Sequence, residues 1–188
     1  MIAKEPFIQL VQKWISDVVV GLNFCPFASK PLQTDKIHFE VVNSGTLKTV
    51  LEAFARTCNL LSDQSEIDTA IIILPEGFTS FNDYLQLVEY CEVLIEKEGY
   101  AGVYQVASFH PEYVFHGSEE SDPANYTNRS PYPLLHILRE EMLEKALEKY
   151  PHPEKIPENN IALTRKLGLE HMKSLFNTYF NGGKANID

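Results

Sequence analysis

The side chains best equipped for chemistry gather in one stretch of the chain. Three of its six histidines, His110, His116 and His136, lie near one another in sequence, together with Arg129, Arg139, Glu112 and Glu140. Imidazoles exchange protons near neutral pH, and guanidinium groups grip carboxylates or phosphates with two parallel hydrogen bonds. The combination predicts a site where His110 and His136 act as acid and base on a small anionic molecule held by Arg129 and Arg139. Tyr113, Glu112, Asn128 and Ser130 stand beside them as further substrate-binding candidates. The segment Asn128-Arg129-Ser130-Pro131-Tyr132-Pro133 supports this, because two prolines stiffen the backbone next to the arginine, and a preorganised anion site needs such stiffness.

Cys25 is the candidate nucleophile. It lies in Asn23-Phe24-Cys25-Pro26-Phe27-Ala28, where Pro26 forces a turn that can present the thiol at a cleft, with His110 as its base. The preceding helix, however, would offer its carboxyl end, the wrong pole for a thiolate, so a buried structural cysteine is the alternative. A third reading places a divalent metal between His136 and Glu140, one helical turn apart, and His110 or His116, as in a metal-dependent hydrolase. The cation at position 139 opposes it, and no metal ligand or cofactor is assigned.

These residues must be positioned by regular elements. From Pro6 to Leu22 the apolar residues Phe7, Leu10, Val11, Trp14, Ile15, Val18 and Leu22 recur at helical spacing, and Pro26 lies just past the end. Ile37 to Asn43 alternates as a half-buried strand, and Leu47, Val50, Leu51, Phe54, Cys58 and Leu61 form the stripe of a second helix. Thr69 to Leu74 reads as a strand covered on both faces. Ser80 caps a third helix whose inner face is Tyr84, Leu85, Val88, Cys91 and Ile95, and Val103 to Phe109 forms a third strand. The fold class is therefore α/β: one domain over residues 1–180 with a small, mainly parallel βαβαβ sheet flanked by helices, followed by a tail at 181–188 expected to fray. After Phe109 comes a long loop, which its aromatic residues mark as ordered. A helix is expected over Leu134 to Tyr150, placing His136, Arg139 and Glu140 on one face, and further helices follow from Pro157 with a break at Gly168.

Composition narrows the partners. The 188 residues carry 26 Asp and Glu against 16 Lys and Arg, a net charge of −10. With a pI near 5.1 and no basic run, the chain repels nucleic acid and anionic membrane surfaces. No apolar stretch is long enough to span a bilayer, and the amino terminus lacks a signal-peptide pattern. Three cysteines, Cys25, Cys58 and Cys91, without a Cys-x-x-Cys pair, fit a reducing cytoplasm. A domain of this size buries about 70% of its unfolded surface and needs neither disulfides nor a structural metal.

Taken together, Gly21-Leu22-Asn23-Phe24-Cys25-Pro26-Phe27-Ala28, Phe109-His110-Pro111-Glu112-Tyr113-Val114-Phe115 and the run from Asn128 to Glu140 resemble domain-of-unknown-function family 1415, found in bacteria and plants. The resemblance covers nearly the whole chain, including Ile156-Pro157-Glu158-Asn159-Asn160, where the family more often has Arg at the position of Asn159. It implies that Cys25, His110, Tyr113, Asn128, Arg129, His136 and Arg139 belong to the family's recurring pattern. It implies no reaction. Two functions of different class are thus open beside the metal reading: a small-molecule enzyme, and a non-catalytic module that binds a ligand or protein through the same arginines and aromatics. Either way, at least three of Cys25, His110, Arg129 and His136 are expected to meet in one cleft. The oligomeric state is not legible.

Overall fold

The computed structural model describes residues 4–184. Four strands form one mixed sheet, β1 (Ile37–Val41), β2 (Thr69–Ile73), β3 (Tyr104–Phe109) and β4 (Leu134–Arg139), in the order β1-β2-β4-β3. β1 and β2 pair in parallel, while β4 runs antiparallel to both β2 and β3. β1, β2 and β3 therefore point the same way, as the βαβαβ pattern requires, but the antiparallel β4 threaded between β2 and β3 leaves only one of the three pairings parallel, which corrects the expected mainly parallel sheet.

That inserted strand corrects the expected helix at Leu134–Tyr150. Leu134 to Arg139 is strand, and α5 (Glu140–Glu148) begins only after it. Leu135, Leu138 and Met142 imitate a helical stripe, but a short apolar run looks alike in a buried strand and a buried helix. Pro133 suits the first position before a central strand, where its missing N–H costs no ladder bond; its carbonyl accepts from the Leu74 N–H at 3.0 Å.

The sheet separates two apolar layers. On one face α3 (Leu47–Asp63) and α4 (Phe81–Lys97) pack Phe54, Leu61, Tyr84, Leu87 and Cys91 against Ala70, Ile72, Leu135 and Ile137. On the other, α1 (Glu5–Trp14) and α7 (Leu169–Lys184) pack Val11, Trp14, Met172 and Phe176 against Ile71, Ile73 and Leu134. β2 lies in the middle and all five of its residues are buried, in keeping with its unbroken apolar sequence. In α4 the inner face includes Leu87 rather than the expected Leu85, which is exposed. The caps follow the sequence: the Thr46 and Ser80 side chains accept from the N–H groups of Thr49 and Asp83.

The first helix changes winding after Trp14. Ile15–Val20 is a π-helix, continued by i−5 bonds from Gly21 to Ser16 and from Phe24 to Val19. The short α2 (Ser29–Gln33) follows. Beyond β3, a 3₁₀ turn at Pro123–Thr127 organises the long loop, and α6 (Ile156–Leu167) packs against it before Gly168, at φ 84°, breaks the chain into α7. Of the tail expected to fray, residues 185–188 lie outside the described residues.

Candidate functional site

Strand alternation places the candidate residues on opposite sides of the sheet. Residues directly opposite in the ladder share a face, so His136 lies with Ile71 and Ala107 on the α1 side, and Arg139 with Tyr104 on the α3–α4 side. His110, one residue past β3, turns its ring toward α4, with centroids 5.0 Å from Tyr84 and 5.2 Å from Phe81. The expected acid–base pair is thus divided by the sheet, and the single cleft uniting Cys25, His110, Arg129 and His136 does not form around these two imidazoles. The i, i+3, i+4 cluster of His136, Arg139 and Glu140 dissolves for the same reason.

His110 is fully buried with both ring nitrogens occupied. The Phe78 carbonyl, 2.9 Å away, can only accept, so Nε2 carries the proton; Nδ1 then accepts from the Glu112 N–H at 3.0 Å. Burial keeps its pKa below the ordinary histidine range. Its backbone N–H donates to the Asn128 carbonyl at 3.1 Å, so the residue ties the end of β3 to the long loop. Glu112 is exposed, as is His116. Tyr113 packs its ring 5.1 Å from Phe81 and 5.0 Å from Phe115.

The arginines are engaged with carbonyls. Arg139 donates through Nε to Ile67 at 3.0 Å and through Nη2 to Gln64 at 3.0 Å and to Leu61, closing the carboxyl end of α3, where exposed carbonyls and the helix dipole favour a cation. Arg129 donates through Nε to the Tyr113 carbonyl and through Nη2 to that of Glu120, both at 3.2 Å, and lies 4.4 Å above the Tyr126 ring. Asn128 donates to the Ser108 carbonyl at 3.1 Å, and buried Ser130 donates to the Tyr132 carbonyl at 2.6 Å. The long loop is held by these side chains, and this bonding accounts for most of the polar residues grouped around it.

Cys25 is half-buried, in a segment anchored by the Asn160 side chain, which donates to the Phe24 carbonyl at 2.7 Å. Burial pushes its thiol up, against a smaller opposing pull from the Phe27 and Ala28 N–H groups. Cys58 and Cys91 are core residues, held thiol by burial.

His136 differs from the others. Its Nε2 lies 2.8 Å from Thr69 Oγ1, and that hydroxyl is also 2.6 Å from the Ile137 carbonyl. A hydroxyl has one proton, and the carbonyl can only accept it. Thr69 must therefore accept from His136, whose proton sits on Nε2. Burial lowers the pKa of the ring to about 4, so it is neutral at pH 7 and its lone pair is on Nδ1. No described residue bonds to that nitrogen. The residue itself is half-buried. On the β2 side Thr69, Ile71 and Ile73 are buried; on the β3 side Ala107 is small and half-buried, and Gln105 is exposed. Phe109 lies 6.3 Å from the imidazole by ring centroids and meets Trp14 edge-on at 5.6 Å. In sequence Thr69 is legible only as the start of a buried strand, not as a partner of His136. The one hydroxyl in Thr69-Ala70-Ile71-Ile72-Ile73 was the available signal, but only the strand register reveals its partner.

Among the described residues, no group of three or more His, Cys, Asp or Glu side chains is placed to hold a metal ion, so His110, His116, His136 and Glu140 do not form the shared set that the hydrolase reading needs. No helix among them is long and apolar enough to cross a membrane.

A family model described as "Protein of unknown function (DUF1415)" matches residues 6–174, and the chain belongs to that family. The match spans all four described strands and most of both core layers. No curated protein and no solved structure matches the chain.

Proposed function

We propose that the protein binds a small molecule at the half-buried His136 of β4, with Nδ1 of its ring as the fixed acceptor of a hydrogen bond. One observation carries this reading: Thr69 and the Ile137 carbonyl lock the proton on Nε2, leaving the Nδ1 lone pair of a half-buried ring without a bond among the described residues. An imidazole that accepts through one nitrogen needs its proton fixed on the other in this way. On this reading the contact is His136 alone rather than the expected His110–His136 pair, and Arg129 and Arg139 stand outside it because their Nε and Nη2 donors serve carbonyls.

The test is a screen of neutral and anionic fragments against protein labelled at its histidine ring nitrogens. Binding fragments are expected to shift the His136 Nδ1 resonance and to lose affinity in His136→Gln. Fragments that all bind without disturbing that nitrogen, or that bind the variant equally well, would refute the assignment.

A further inference from the structure

β3 closes one end of the sheet and pairs on one side only, with β4. Along a strand, successive residues aim their N–H and C=O groups to alternate sides, so a few contacts of known direction fix the rest. The Val103 carbonyl accepts from the Glu140 N–H at 2.9 Å, and the Phe109 N–H reaches the Leu134 carbonyl through the Tyr84 hydroxyl. Val103, Gln105, Ala107 and Phe109 therefore face β4, while Tyr104, Val106 and Ser108 face outward. Two outward groups are engaged: the Tyr104 N–H donates to the Tyr100 carbonyl at 3.0 Å, and the Ser108 carbonyl accepts from the Asn128 side chain at 3.1 Å. Four contiguous groups between them have no partner among the described residues: the Tyr104 C=O, both groups of Val106 and the Ser108 N–H.

We propose that this edge pairs with the same edge of a second copy of the chain, antiparallel about a two-fold axis at Val106. The free groups are complementary in charge to their own image. The two Val106 residues exchange N–H···O=C bonds, and each Ser108 N–H meets the other copy's Tyr104 C=O, which makes four bonds. The strands part beyond them, where Tyr100 and Asn128 sit. A generic extended peptide would bring an unbonded carbonyl to the engaged Tyr104 N–H; a second copy brings the Ser108 carbonyl, which is already bonded. Tyr104–Phe109 also carries no charged residue and no proline, the devices that keep an edge strand from pairing. On β1, the other edge, Glu40 lies 3.7 Å from Lys4.

Sedimentation of the intact chain at ~0.15 M salt, over about 0.01–1 mM, is expected to show a reversible monomer–dimer equilibrium, weak because a six-residue edge is small beside a standard interface. Amide exchange at Val106 and Ser108 slows as concentration rises, while Gln105 and Ala107, bonded to β4 in either state, do not change. Val106→Pro removes two of the four bonds and no ladder bond, and weakens the dimer at least tenfold. Gln105→Glu, at an exposed position, sets two carboxylates ~7 Å apart on diagonal sites and weakens it about threefold at low salt, an effect that ~1 M salt removes. If Val106→Pro does not fold, the exchange pattern and Gln105→Glu decide. A chain that stays monomeric at about 1 mM would overturn the proposal. So would a dimer whose Val106 and Ser108 amides exchange as in the monomer, because its contact would lie elsewhere.

Discussion

The neutrality of His136 can be measured through stability. In the unfolded chain its imidazole titrates near 6.5, whereas in the fold burial holds it at about 4. Between these values the unfolded state binds a proton that the native state refuses, so stability rises with pH there and falls as the solution is acidified. This contribution is fully present above pH 6.5 and is lost progressively down to pH 4. At about 1.36 kcal/mol per unit, the 2.5-unit gap corresponds to roughly 3 kcal/mol in full, and to about 2.5 kcal/mol at pH 4.5. Urea unfolding of the wild type and of His136→Gln at pH 7.5 and 4.5 isolates the term, because the carboxylates and His110 titrate alike in both proteins. Glutamine keeps a donor for Thr69 and lacks the titration. The wild type should therefore lose about 2.5 kcal/mol more than the variant over this range. Parallel losses would mean that the folded imidazole takes up its proton as readily as the unfolded one, so that burial does not hold it neutral.

Three further outcomes follow from named contacts. The Tyr84 hydroxyl is spliced into the β3–β4 ladder, accepting from the Phe109 N–H at 3.0 Å and donating to the Leu134 carbonyl at 2.6 Å, so Tyr84→Phe should cost about 1–3 kcal/mol by chemical denaturation; a change within experimental error would show that the strands close on each other. Arg139→Lys should destabilise by about 2 kcal/mol, since an ammonium cannot reach three carbonyls with a planar fork, yet it should leave fragment binding at His136 unchanged; lost binding with intact stability would return the arginine to the site. Cys25 should react with iodoacetamide at pH 7 more slowly than a free cysteine, because burial raises its pKa; a faster rate would identify an activated thiolate.

Much of this architecture is local in origin, and local patterns can be read along the chain. The alternation of Ile37, Phe39 and Val41, the helical stripe through Val50, Phe54, Cys58 and Leu61, and the caps at Thr46 and Ser80 each involve residues within a few positions of one another. Such features state their own conformation, because side chains repeat every two residues in a strand and every 3.6 in a helix. The grouping of His110, Arg129, His136 and Arg139 was equally visible, but their roles were not. A run of six residues at Leu134–Arg139 satisfies either period, and its choice of strand depends on β2 and β3, which lie far away in sequence. That choice sends Arg139 to the carbonyls ending α3 and His136 to the opposite face.

The amino-acid sequence by itself determined the α/β class, the extent of most elements and the inventory of reactive groups, since these depend on residue type and near-neighbour spacing. Only the tertiary structure decided which groups are satisfied and which are free. His110 and the two arginines find backbone partners, and His136, pinned by a threonine 67 positions away, does not complete its second bond. Hydrogen-bond satisfaction belongs to pairs of atoms brought together by strand register, and register is fixed by burying the apolar face of each strand against the whole core.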